Sequence, residues 1–532
     1  MSRVLILGSG PAAAGAALAL SNEPDIEITV IDLGVRLEQA RRAAVDDMAT
    51  AEPADWDAAS IRLIAEQPMD PQAGPIPQKR SYGSDFPFRD LGQLDGISAD
   101  QGANTSVVSA AYGGFSNVWG AQLMPFAASV FERWPVSMNE MERHYRAVLS
   151  EVPFAAEEDD LAKLFPLIGA PVPLPAPSTR TRRVLDSYAR HRSRLNRLGV
   201  AVGRARLAFA ATACVRCGLC MTGCPYSLIY SASQTFDRLR QSGRVTYHAG
   251  LLAVHLEEEG HQARVTAREL ATGRMHRFEA DRVFVACGGM GSTRLVAGSL
   301  QLFDRELHMA ESRQFALPFI SGRSVPDPRH EPQFTLNQFN LTVAFDEIGY
   351  DLSQLHFYTY NPLFSDAMPA PLRARPAEPA RRELLRRLSF ALGYLPSWMS
   401  PPLSVRIGRP QADAAMPELH VARLEGGTWQ NPHMRRIVGR LLRSSPMLDL
   451  YPVLPMLRMA AAGKSYHYGG SFGHGTDGGG RLGSDRLGRV GGWQRIHLVD
   501  ASVFPSVPAT TFTLTVMANA HRIATEAVEL GG

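Results

Sequence analysis

Within its first 32 residues the chain spells out one βαβ unit, and that unit limits the kind of sheet that can form around it. Val4 to Leu7 is a short, wholly apolar strand. It runs into Gly8-Ser9-Gly10-Pro11-Ala12-Ala13, and the alanine-rich stretch to Leu20 reads as a helix. Glu27 to Asp32, "EITVID", is a second strand ending in an acid. Gly8 permits a tight turn, Gly10 lets the backbone approach a pyrophosphate, and Ala13 is small enough for helix and strand to pack. The free N–H groups at the helix start face phosphates. Asp32, 24 residues after Gly8, is placed to accept hydrogen bonds from ribose hydroxyls. A signal peptide shares the single Arg, the apolar run and the small residues, but not the fixed glycine spacing. The segment is therefore read as a structural start without an export signal.

A compact NAD-binding domain would continue βαβ to about residue 150. This chain instead enters a polar, proline-containing stretch at 69–77. An apolar strand of the right kind returns only at "RVFVACGG", 282–289, where Val283 to Ala286 precede Gly288-Gly289. Such a layout suits a flavoprotein whose nucleotide domain is interrupted, with Ala286 and Gly288 returning to the nucleotide. At 532 residues, two or three interleaved domains are expected. The 55 basic and 52 acidic residues nearly balance, which gives no reason to expect nucleic acid.

Four of the five cysteines fall within eleven residues: Cys214, Cys217, Cys220 and Cys224, with Pro225 following. No apolar run reaches the roughly 18–20 residues of a membrane span. A cytoplasmic location is expected, where disulfides are disfavoured and such a cluster asks for a metal. The CxxCxxCxxxC spacing is the iron–sulfur run of bacterial ferredoxins. Zinc usually draws two pairs of ligands from separate knuckles, and the gaps here are short. In two-cluster ferredoxins the fourth cysteine serves the other cluster, yet no second run exists here. Either four thiolates hold a [4Fe–4S] cluster, or three hold a [3Fe–4S] cluster. Zinc and redox thiols remain the alternatives.

Two C-terminal stretches, "KSYHYGGSFGHGTD" (464–477) and "RIHLVDASVFPSVPATTFTLTVMANAHRIA" (495–524), complete the pattern. With the N-terminal turn, the run Gly113-Gly114-Phe115-Ser116-Asn117-Val118-Trp119 and the "FVACGG" strand, the chain resembles the glucose–methanol–choline (GMC) family of flavin oxidoreductases. The resemblance implies an α/β fold: an interrupted Rossmann-like FAD-binding domain and a substrate cap on an antiparallel sheet. It implies that Gly113, Gly114, Ser116 and Asn117 line the flavin and its pyrophosphate. Asp500 and Ala501 would lie beside the pyrophosphate or isoalloxazine, and Leu251 would hold adenine through its backbone. His467 matches the family's catalytic histidine. Alcohol oxidation sends a hydride to flavin N5 while the hydroxyl proton leaves, and a base titrating near neutrality suits that proton. His474 is the weaker candidate. The family normally places Asn or His, then Pro, after "DASVFP"; this chain has Thr511-Phe512, and threonine cannot act as a base near neutral pH. "CMTGCP" also resembles the cysteine loop of iron–sulfur-containing, FAD-dependent glucose dehydrogenase subunits, which pass electrons to a cytochrome.

Residues 333–345 and 352–360 alternate apolar and polar, as half-buried strands of the cap sheet would. Residues 381–399 and 435–457 are basic and apolar together. They read as helices packed on the cap with snorkelling arginines, or as a surface for a membrane or a lipid-linked substrate. The expected FAD-binding domain covers 1–45, 95–125, 240–300 and 465–532. The cysteine loop covers 205–235, and the cap 126–204 and 301–464. The expected function is oxidation of an alcohol, a sugar or glycoside by resemblance. Electrons would leave singly through the cluster to a cytochrome, a ferredoxin or a small subunit. Alternatives are a ferredoxin-fed reductase, and an electron-transfer subunit without substrate chemistry.

Overall fold

The computed structural model describes residues 2–65, 78–89, 96–100, 103–104, 107–346, 349–361, 371, 374–410, 414–423, 431–475 and 482–529; the stretch 69–77 lies outside them. Strand Ser2–Leu7 pairs in parallel with Ile26–Ile31 on one side and with Arg282–Val285 on the other. Val245–His248 and Ile496–Leu498 extend the two edges, also in parallel, giving a five-stranded sheet drawn from distant parts of the chain. Val4 to Leu7 and Val283 to Val285 are all buried, as expected for a parallel sheet covered on both faces.

Helix Pro11–Ser21 covers one face, and its run of Ala and Gly lets helix Thr513–Glu529 come very close. A Cβ on Gly15 would lie 2.2 Å from the Met517 carbonyl oxygen. A three-stranded antiparallel sheet, Leu251–Glu259, Gln262–Glu269 and Met275–Ala280, precedes the return strand. A further sheet orders Tyr468–Gly469, Glu306–Glu311, Leu403–Ile407, Leu419–Arg423 and Ile97–Ala99.

The second half is built on a seven-stranded sheet. Its central strands are Gln314–Ile320, Leu388–Tyr394, Leu352–Tyr358 and Phe339–Ala344, all antiparallel. On the outer face Phe315, Leu317, Leu341 and Phe357 pack under helices Thr179–Arg197 and Pro432–Leu448. The inner face carries Gln314, Asn340, Thr342, Gln354, His356 and Tyr394, and these are buried too. The strands expected to be half-buried are thus covered on both faces.

Two stretches read as helical depart from that reading. Helix Glu378–Leu385 ends early, and Leu388–Tyr394 becomes a strand inside 381–399. Gly393 faces Phe315 across the ladder, and a Cβ there would lie 2.0 Å from the Phe315 ring, so the strand can pair at that point only with glycine. Within 435–457 the helix stops at Leu448, Asp449 takes a left-handed φ of 54°, and Tyr451–Pro452 adds an edge strand. Among the described residues no helix is long and apolar enough to cross a membrane.

Candidate active site

The first strand ends at Gly8, whose φ of +99° and contact with Ala286 leave no room for a side chain: a Cβ would lie 2.7 Å from the Ala286 oxygen. Gly10 precedes helix Pro11–Ser21, and a Cβ there would meet nothing within 4 Å, so its open side can admit a ligand. Asp32 is half-buried and accepts from Ser9 Oγ, from Tyr247 Oη (3.0 Å) and from the Leu33 N–H (2.9 Å). Burial outweighs these bonds and pushes its pKa up to about 6.

Ser9 Oγ also accepts from the Gly113 N–H at 2.9 Å, tying the second loop to the first. Gly113 and Gly114 have φ of +91° and +58°, and a Cβ on Gly114 would lie 3.3 Å from Gly10 Cα. Asn117 Nδ2 donates to the Tyr112 and Gly114 oxygens at 3.0 and 2.7 Å. Ser116 Oγ donates to the Gly113 oxygen at 2.5 Å and accepts from the Ala232 N–H at 2.9 Å. These side chains shape the loop.

One cavity gathers the glycine turn, Asp32, Leu251, Gly114, Ser116, Trp119, Ala286, Gly288, Asp500, Ala501, Tyr466, His467 and Phe512 on its wall. Three helices begin on that wall: Pro11–Ser21, Gly289–Ser299 and Thr513–Glu529 each contribute residues of their first turn. Their N-termini carry partial positive charge and free N–H groups, which favour an anion. Asp500 accepts from Ser292 Oγ and from the Ser502 N–H (2.9 Å), and burial raises its pKa. Leu251 lines the cavity, but its N–H donates to the Asp32 oxygen at 3.0 Å, which commits the main-chain donor expected for adenine. Ala13, Gly113, Asn117, Thr511 and His474 lie off the wall.

His467 projects from a turn moored to Glu311. The Glu311 carboxylate accepts from the Gly463 N–H and Ser465 Oγ, both at 2.9 Å, and Ser465 Oγ accepts from the His467 N–H at 3.1 Å. Ser312 N–H donates to the His467 oxygen at 2.8 Å. Tyr466 is held at a φ of +55°, the kind of strain that surroundings must impose. The imidazole stacks on Tyr394 (4.8 Å, 21°) and meets Phe512 edge-on (4.8 Å, 80°). His356 lies 5.0 Å from Tyr394 in turn, and its Nε2 stands 3.0 Å from Gln354 Oε1 and 3.1 Å from Gln122 Nε2.

A base titrating near neutrality was expected at His467. Burial instead lowers the His467 pKa to about 3, and Nδ1 is buried without a described hydrogen-bond partner. Thr511 Oγ1 is likewise buried and unpartnered among the described residues. His474 is held by its neighbours: Nδ1 lies 2.6 Å from the Asp485 oxygen and 3.0 Å from Ser484 Oγ, and Nε2 lies 3.4 Å from Asn519 Nδ2. Glu311, Tyr394 and His356 carry no motif, and sequence reasoning missed them.

Cys220 and Cys224 are buried, and Cys214 and Cys217 half-buried. Burial pushes the Cys217 thiol up to about 11 and Cys224 up to about 12, and the charge of Cys220 raises both and Cys214 besides. Main-chain N–H groups of Arg216 and Thr335 donate to the sulfurs of Cys214 and Cys220, each at 3.4 Å. Among the described residues, no three His, Cys, Asp or Glu side chains gather as one metal ion would require. Lys79 bridges this loop and the cavity: its Nζ donates to the oxygen of cavity-lining Trp119 at 2.8 Å, and it feels the charge of Cys220.

No family model matches the sequence. No curated protein matches it either. Solved structures share its fold. Pyridoxine 4-oxidase from Mesorbium loti has a TM-score of 0.60 at 14% identity, covering 99% of each chain. A substituted formate oxidase from Aspergillus oryzae RIB40, studied for FAD modification, has a TM-score of 0.61 at 12% identity, covering 100% of this chain and 98% of that one. An FAD-dependent oxidoreductase from Chaetomium thermophilum has a TM-score of 0.57 at 13% identity, covering 100% and 99%. These likenesses establish the fold from end to end: a parallel nucleotide-type sheet joined to a cap on an antiparallel sheet.

Proposed function

We propose that the chain is an FAD-dependent oxidoreductase of the GMC type that takes hydride from a CH–OH group. The observation that carries this reading is the convergence of three helix starts, the acid that ends the second strand and His467 on one cavity. The open side of Gly10 and the three N-termini suit a pyrophosphate, and Asp32 suits a ribose. Gly8, Gly10, Gly114, Ser116, Gly288, Asp500 and Ala501 would hold FAD, which when bound supplies the hydride acceptor. The likeness in fold to pyridoxine 4-oxidase and formate oxidase supports the same class of chemistry.

His467 is the residue we assign to the hydroxyl proton. With its pKa lowered to about 3 it is neutral at pH 7, so it has a lone pair to offer. Its protonation within an apolar, stacked site is costly unless negative charge develops opposite it. Proton uptake by His467 is therefore tied to hydride departure. Thr511 lies off the cavity wall and supplies no base.

The substrate we infer is an uncharged alcohol rich in hydroxyls, a sugar or glycoside. Next to His467 stands Tyr394, and beyond Tyr394 an imidazole kept neutral by burial, His356, lowered to about 3. Cys214, Cys217, Cys220 and Cys224 would hold an iron–sulfur cluster, which supplies one-electron exchange with a cytochrome, a ferredoxin or a small subunit.

The test is anaerobic mixing of the purified yellow-brown protein with a panel of alcohols and sugars, alongside flavin, iron and sulfide analysis. Bleaching by an alcohol is expected, and His467→Ala should slow it by about 10²–10⁴ with flavin retained. Flavin reduced only by ferredoxin would mark a reductase, and a colourless zinc protein would end the cluster assignment.

A further inference from the structure

Helices Thr179–Arg197 and Pro432–Leu448 lie against each other on the outer face of the seven-stranded sheet, with their apolar sides turned inward. Their solvent sides are strongly basic. Arg182, Arg190, Arg194 and Arg197 are exposed on the first helix, Arg435 and Arg443 on the second. The first helix contains a single acid, Asp186, and the second contains none. No described carboxylate pairs with any of these six. The chain as a whole carries only +3, so this face is a local excess of positive charge.

A second observation concerns apolar surface. Six large hydrophobic residues are exposed among those described. Three of them, Leu442, Tyr451 and Met456, at 48, 45 and 49% exposure, fall between residues 442 and 456. Leu442 stands seven residues after Arg435, two helical turns on, and so shares its side of the helix. A second copy of the chain would set arginine against arginine on this face. A nucleic acid would match the charge but give Leu442, Tyr451 and Met456 nothing to enter. An anionic bilayer satisfies both features.

We propose that this face docks on an anionic lipid surface. Helix Pro432–Leu448 lies along the interface with its arginines on lipid phosphates, and Leu442, Tyr451 and Met456 reach below the headgroups. This placement is independent of the chemistry assigned to the cavity.

The test is flotation of the full chain with vesicles of phosphatidylcholine alone, and of phosphatidylcholine mixed with phosphatidylglycerol. A parallel arm offers duplex DNA. Binding is expected to the mixed vesicles only, weakening as salt rises. Each lost arginine should lower partitioning about fivefold, so the triple variant Arg194→Gln, Arg435→Gln, Arg443→Gln should lose about a hundredfold. Leu442→Ser should weaken binding at salt concentrations where charge is screened. Circular dichroism of both variants should match the parent. Equal binding to the two vesicle types, no binding to either at low salt, unchanged partitioning of the triple variant, or capture by DNA alone would each overturn the proposal.

Discussion

Glu311 is completely buried, and it moors the turn that presents His467. Its pKa is raised from 4.5 to about 7, with burial the largest cause. An acid whose pKa rises on folding contributes stability that is full below its unfolded value and is lost as pH climbs through the folded one. Urea unfolding of the apoprotein should therefore show the parent losing about 3 kcal/mol between pH 4.5 and pH 8 relative to Glu311→Gln. A pH-independent difference between the two would remove Glu311 as the titrating group. Gly8, Gly10, Asp32 and His467 were legible because their signals are local: a turn and the acid ending the next strand, or a histidine before a glycine pair. Glu311, Tyr394 and His356 were not legible. They sit on three separate strands and reach His467 only through tertiary pairing. The depressed basicity of His467 was equally invisible, since stacking partners are not written in a motif.

Between elements, close approach is set by what is missing from side chains. Gly15 separates helix Pro11–Ser21 from the Met517 carbonyl, so Gly15→Val should cost about 1–3 kcal/mol or more and reduce flavin content. Gly439 gives the contrast: it lies within helix Pro432–Leu448 with nothing near its missing Cβ, so Gly439→Ala should raise stability by about 0.5–1 kcal/mol. Melting temperatures of the two variants should move in opposite directions. On the proposed cluster reading, Cys220→Ser should lose iron while keeping flavin, measured by metal analysis and visible absorption. The helix/strand confusion in 381–399 has a clear cause. "RRELLRR" has helical spacing, while "LSFALGY" alternates in a way that only the facing strands resolve, and Gly393 permits the contact with Phe315.

At the scale of the molecule, the parallel sheet joins residues 2–7, 26–31, 245–248, 282–285 and 496–498. Its order was only partly readable: the first two strands announce themselves, and the return at 282 follows from its glycines. The edges at 245 and 496 depend on which segments the intervening cap brings home. Wide separations of this kind make folding slow. A chain shortened before residue 496 should retain no FAD on gel filtration, even where its cap strands form. The same wiring bears on biosynthesis. While the ribosome is still translating, the strand that begins at Ser2 has its inner neighbours but not the edge strand at Ile496 or the helix seated on Gly15. On the proposed reading, flavin loading must then wait until the strand at Ile496 and the helix that follows it have been made.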